Sequence, residues 1–226
     1  MYKVFVLWSD DDEIIDQYGI EKCLTILNLH PLICASKINI DNLNDLNKCH
    51  IFLIAGGEPY QLRLRMKGKG ASEIRKFVSN GGGYIGICAG AVLALSKSPS
   101  LNLLNHVNLV NDNIWWNSGV CGDIKLKAIS NDLNVTNGLF SYNNGPLFMI
   151  KKSKLCKPNI PVPIAKFDGP LYNCTEKISD EMMKQIDNSY AIISGKCGSG
   201  SVIISSIHPE YSDDYKILYD MIFSVL

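Results

Sequence analysis

Hydrophobic residues in this chain fall into short unbroken runs, separated by mixed or polar stretches of helical length. Lys3–Trp8, Leu32–Ala35, His50–Ile54 and Tyr84–Ile87 show no helical period, the pattern of strands buried on both faces. After the first run, Ile14, Ile15, Tyr18, Leu24 and Leu27 give one apolar face through Asn28; the acidic Asp10–Glu13 suits the start of that helix and Pro31 its end. A polar stretch, Asp41–Lys48, leads into the third run. Ala71–Asn80, with Ile74, Phe77 and Val78, reads as a helix stopped by Gly81. Strands and helices alternating in this way predict a parallel sheet with helices on both faces.

The second half is less regular. Between Ser96 and Gly138 the signal weakens: Trp115 and Trp116 beside Asn117-Ser118-Gly119 read as a loop, and Ile124–Ile129 as an alternating strand. Ser141-Tyr142-Asn143-Asn144-Gly145-Pro146 is turn-rich, and is either a plain turn or a pocket loop. Pro158, Pro161, Pro163 and Pro170 mark an irregular surface connection. Tyr190–Ser194 and Ser201–Ile207, joined by a glycine-rich link, predict a hairpin at the sheet edge. Asp213–Leu226 is amphipathic, with Tyr215, Leu218, Tyr219, Ile222 and Phe223 on one face.

Charge narrows the partners. Lys and Arg together number 22, matching 22 Asp and Glu, and no basic stripe is interleaved with aromatics, which argues against nucleic acid. The basic segment Lys151–Lys157 reads as solvated surface. No apolar run approaches the ~18 residues of a membrane span. Val4–Trp8 is too short for a signal peptide, so the expectation is a cytoplasmic protein. The 8 cysteines show no C-x-x-C and several lie in apolar runs, as reduced thiols do; the 4 histidines lack metal-ligand spacing. Neither a metal nor a cofactor is expected.

The chemistry concentrates at Gly81-Gly82-Gly83-Tyr84-Ile85-Gly86-Ile87-Cys88-Ala89-Gly90-Ala91. Gly81, Gly83 and Gly86 fit G-x-G-x-x-G, but they precede the strand rather than follow it, so the dinucleotide reading fails. A cysteine among apolar residues is most often a small core hydrophobe. Here, however, Cys88 stands between a strand and a helix start, with small neighbours at Gly86, Ala89 and Gly90. A nucleophile at a sharp strand-to-helix corner needs that layout, and the helix amides favour negative charge on sulfur. The missing base is His208, just past a buried strand, with Glu210 two residues on. In an extended stretch both would project to one side, so that the carboxylate orients the imidazole. Gly56 and Gly57, at the end of the third strand, should face the same crevice.

Gly86-Ile87-Cys88-Ala89-Gly90 with His208-Pro209-Glu210 resembles the class I glutamine amidotransferase superfamily. Closer still, these residues together with Ala55-Gly56-Gly57-Glu58-Pro59-Tyr60, the Lys67-Gly68-Lys69-Gly70 turn and Tyr142-Asn143-Asn144-Gly145-Pro146 are similar to the biotin–protein ligase N-terminal domain family. The resemblance implies a single domain over residues 1–226, a flavodoxin-like three-layer sandwich with a mostly parallel central sheet. It further implies Cys88 as nucleophile, His208 as base, Glu210 as orienting acid, and the N–H groups of Gly57 and Ala89 as oxyanion donors. Gly56, Glu58, Tyr142, Asn143 and Asn144 would line a substrate pocket. Amidotransferases place a glutamine four residues after the nucleophile, where this chain has Val92, and the biotin ligase catalytic loop is missing. The expectation is therefore a cysteine hydrolase acting on a small-molecule amide or peptide-like carbonyl through a thioester, with neither free-glutamine nor biotin-ligase activity. The alternative is a non-catalytic metabolite-binding or regulatory domain. No protein partner is named by the sequence.

Overall fold

The computed structural model describes residues 1–97, 100–110, 119–136, 138–151, 160–174 and 177–226. Trp115–Ser118, Cys156, Pro158 and all of the basic segment except Lys151 lie outside these residues.

The apolar runs become strands β1 (Tyr2–Trp8), β2 (Ile33–Asn39), β3 (Ile51–Ile54) and β4 (Gly83–Ile87). Every residue of β3 and β4 is buried, which is why these segments read as continuous apolar runs. The first helix, α1 (Gln17–Leu29), starts later than the acidic run suggests, because Asp16 supplies the cap by accepting from the Gly19 N–H. Asp11 instead turns locally onto the Glu13 N–H. The polar stretch at 41–48 is a 3-10 segment, Ile40–Lys48. Helix α2 (Pro59–Ser79) begins twelve residues before the predicted start, with Pro59 in its first turn and Glu58 as cap. The Lys67–Gly70 turn is a bend inside it, at Lys67 with φ 54°. A six-residue helix, α3 (Ala89–Ala94), follows the cysteine.

The remaining strands are β5 (Val107–Leu109), β6 (Cys121–Ala128), β7 (Leu139–Asn143), β8 (Phe148–Ile150), β9 (Val162–Tyr172), β10 (Tyr190–Cys197) and β11 (Gly200–Ser205). Two more helices are α4 (Asp180–Asp187) and α5 (Lys216–Ser224). The main path of the sheet runs β2-β1-β3-β4-β11-β10-β9-β6-β7, with β5 and β8 pairing beside β10.

Three expectations need correction. The sheet is mixed rather than mostly parallel: β2, β1, β3, β4 and β11 run parallel, while β10, β9, β6 and β7 follow in antiparallel pairs. The β10–β11 hairpin is not at the edge. It lies at the seam, with β11 paired to β4 and β10 to β9. The proline-rich connection is in part the long strand β9, which pairs Pro163 with Ile193 and carries Pro170 where its register against β6 shifts. The fold is thus a mixed α/β architecture with one large sheet and flanking helices.

Register fixes the site's position. Ile54 pairs with Gly86 and Ser205 with Ile87, so β3, β4 and β11 end at the same level. The residues after them, Gly56–Gly57, Cys88 and His208, therefore emerge at one carboxyl edge.

Candidate active site

Cys88 is held at a corner. Its backbone has φ 50° and ψ −104°, a sparsely populated conformation for a residue with a side chain, costing roughly 1–3 kcal/mol. Close packing maintains the bend. A Cβ on Gly90 would sit 2.1 Å from the Ile54 carbonyl oxygen, and one on Gly86 would sit 2.5 Å from the Gly90 backbone. Tyr84, fully buried, donates its hydroxyl to the Gly90 carbonyl at 2.7 Å. The Cys88 N–H donates to Ser205 at 2.9 Å, pinning the corner to β11. The residue is 8% exposed.

The loop after β3 is clamped to the segment before α1. The Asp16 N–H donates to the Gly56 carbonyl at 3.1 Å and the Glu58 N–H to the Ile14 carbonyl at 3.0 Å. Between these bonds Gly57 has φ 147°, and a Cβ there would meet the Ile14 oxygen at 2.5 Å, so only glycine fits. Among the described residues, the Gly57 N–H finds no protein acceptor. The same is true of the Ala89 N–H, whose neighbour Gly90 bonds to Ala55. Both predicted oxyanion donors are thus uncommitted.

His208 and Glu210 come together through a turn, not an extended stretch. Pro209 fixes φ and opens a 3-10 turn, Pro209–Tyr211, which brings His208 Nδ1 to 2.8 Å from Glu210 Oε1. The pair is buried, with side-chain exposures of 3% and 0%. The turn is anchored to β7: the His208 N–H donates to Ser141, and the Ser212 hydroxyl donates to the His208 carbonyl, both at 2.8 Å. Burial works against the imidazolium, yet the Glu210 carboxylate and the Cys88 sulfur outweigh it and hold the His208 pKa well above the usual value. Nε2 itself has no hydrogen-bond partner. The Cys88 sulfur nonetheless lies close enough to act on the ring.

The predicted pocket residues divide. Gly56 packs against the His208 ring: a Cβ there would approach Cε1 to 3.3 Å. The Glu58 carboxylate caps α2 through the Gln61 N–H at 2.6 Å. Tyr142 is core, its hydroxyl bonded to the Gly145 carbonyl at 2.8 Å and its ring edge-on to Phe167. Burial raises its pKa, and the nearby Cys88 and Cys121 add to the rise. Asn143 accepts from the Cys121 thiol at 2.6 Å, and Asn144, with φ 49°, turns the chain back to Val120.

One residue escaped the sequence reading. Asp16, His208 and Glu210 bring one polar atom each within 4.8 Å of one another. Both Asp16 oxygens are engaged, Oδ1 by the Gly19 N–H at 2.9 Å and Oδ2 by the Tyr211 hydroxyl at 2.6 Å, while His208 Nδ1 is held by Glu210. The aspartate before an apolar helix face is a legible cap signal, but its nearness to residue 208 depends on tertiary structure alone. Among the described residues, no cysteine is in a disulfide, and no helix is long and apolar enough to cross a membrane.

The family described as biotin-protein ligase, N terminal, matches residues 26–99, which span β2 through the Cys88 corner. The resemblance read from the elbow and the Gly56-Gly57 loop is borne out there. No curated protein matches the chain. Among solved structures, a glutamine amidotransferase is 17% identical with a TM-score of 0.63, each chain being 98% covered. A putative GMP synthase component from Thermoplasma acidophilum is 13% identical with a TM-score of 0.60, covering 99% of this chain and 94% of that one. A β-galactosidase from Bacillus circulans matches 97% of this chain with 30% of its own, at 10% identity and a TM-score of 0.60. At these identities the likeness is one of fold, and the fold is amidotransferase-like.

Proposed function

We propose that this chain is an amidotransferase-like cysteine hydrolase that opens a small amide or peptide-like carbonyl through a thioester. The observation that carries the reading is the buried His208–Glu210 pair at 2.8 Å, with Nε2 left unpartnered beside Cys88. In the proposed cycle the Cys88 thiolate attacks the carbonyl carbon, and the oxygen gains charge against the Gly57 and Ala89 N–H groups. The imidazolium gives its proton to the departing amine. A water, deprotonated by the neutral ring, then attacks the thioester carbon; the carboxylic acid leaves, and the thiolate and imidazolium are restored. The substrate is a small molecule or short peptide in the cytoplasm.

Free glutamine is not the expected substrate. Val92, 3% exposed and apolar, stands where amidotransferases carry a glutamine. An amide buried without a polar partner costs about 1–3 kcal/mol per lost interaction. The same feature favours a second reading, a non-catalytic domain that binds a metabolite in this crevice.

Intact-mass screening against activated amides and γ-glutamyl compounds separates the two. The hydrolase reading expects an adduct on wild type that is missing from Cys88→Ala, and little ammonia from glutamine. Saturable binding without an adduct from any compound supports the binding domain.

A further inference from the structure

The segment before α1 reaches across to the turn that carries the base, more than 190 residues later in the chain. Asp16 is where they meet. Its N–H holds the Gly56 carbonyl, and so the loop bearing Gly57; its Oδ1 caps α1. Its Oδ2 accepts the hydroxyl of Tyr211, the residue directly after Glu210. The arrangement is crowded: a Cβ on Gly19 would lie 2.5 Å from Asp16 Oδ2 and 3.0 Å from the Tyr211 hydroxyl. Tyr211 in turn packs on the His208 ring, with centroids 5.6 Å apart. A cap alone needs one carboxylate oxygen, and here the second is spent on the neighbour of the catalytic pair.

We propose that Asp16 is a positioning residue of this site: it ties the Gly57 loop to the His208–Glu210 turn and sets a second negative charge beside the imidazole. The inference rests on the hydrolase reading for its purpose, but not for its measurement. The groups facing His208 are Glu210 and Tyr211 on its own turn, Asp16 from the start of α1 and Cys88 from the corner. Cys23 of α1 lies behind them, its thiol pushed well up by burial and then by Glu210 and Asp16. Only Asp16 and Glu210 among these are carboxylates. Removing either charge disfavours the protonated ring. Tyr211 acts in the other direction, since its hydroxyl donates to Asp16 and offsets part of that charge.

The test is the titration of the His208 ring in the free protein, followed by NMR with labelled histidine and assigned by loss of the signal in His208→Asn. In Asp16→Asn the amide keeps the cap and a contact to Tyr211 while removing the charge, so the ring should lose its proton at lower pH. In Tyr211→Phe it should lose its proton at higher pH, because the aspartate charge is no longer offset. Shifts in opposite directions support the proposal. An Asp16→Asn midpoint that matches wild type, while Glu210→Gln lowers it, overturns the proposal and leaves Asp16 as a helix cap. If Asp16→Asn does not fold, Tyr211→Phe decides: a rise supports the tie, and an unchanged or lowered midpoint rejects it. A wild-type protein that forms no adduct removes the hydrolase reading, yet leaves this titration measurable.

Discussion

At the scale of single residues, the contrast among the thiols is the sharpest handle. Burial pushes the Cys23 thiol well up, and it pushes Cys49 up to about 12, so neither should ionise near neutrality. Cys34 is exposed, on strand β2 away from the corner. Among the described residues, Cys88 combines partial access with the nearby His208 imidazole, whose pKa Glu210 and the Cys88 sulfur raise against the effect of burial. With a limiting alkylating agent at pH 6, Cys88 should therefore be labelled first, read peptide by peptide by mass spectrometry. Earlier labelling of Cys34 would remove Cys88 as the reactive thiol. Cys88 and the His208–Glu210 pair stood out in the sequence because each sits in a short motif: a cysteine among small residues after an apolar run, and a His-x-Glu just past another. Asp16 and Tyr211 were not, since a helix cap and a tyrosine acquire their role only when distant segments meet.

At the scale of elements, the corner between β4 and α3 depends on two contacts of different kinds. Tyr84→Phe removes one hydrogen bond and leaves the Gly90 carbonyl buried, which should cost about 1–3 kcal/mol while the corner survives. Gly90→Ala drives a methyl onto the Ile54 backbone, 2.1 Å from its oxygen, and backbone cannot step aside. It should cost more than Tyr84→Phe, about 3 kcal/mol or above, and abolish Cys88 labelling. Denaturant unfolding of the two variants checks the order; a milder Gly90→Ala would mean that the sheet relaxes around the corner. Legibility followed burial here as well. The central strands β3 and β4 announced themselves as apolar runs because both their faces are covered. Part of the antiparallel half did not: β7 mixes buried and exposed positions, β8 is three residues long, and β9 carries prolines that read as a loop. Helix α4 was missed although Ser179 caps it and Asp180 and Glu181 open it, a signal hidden by its short length.

At the scale of the whole molecule, the His208–Glu210 pair links stability to pH. The folded state raises the His208 pKa above the unfolded value of ~6.5, so the native protein binds the proton more tightly. That contribution is complete below ~6.5 and declines as pH rises toward the raised native value. Melting temperature should fall with pH above ~6.5 in wild type, and the slope should flatten in His208→Asn. An equal slope in both would place the linkage elsewhere.

The seam of the sheet carries a consequence for how the chain is made. Strand β11 joins β4, laid down over a hundred residues earlier, to β10, its immediate predecessor. On the ribosome the parallel half must wait with an open flank at β4 until residue 205 has left the exit tunnel. Only then can the two halves close, and the same closure delivers His208 to the sulfur. Cys88 thus emerges without His208 beside it, and completion of the sheet and the meeting of these two residues are a single event.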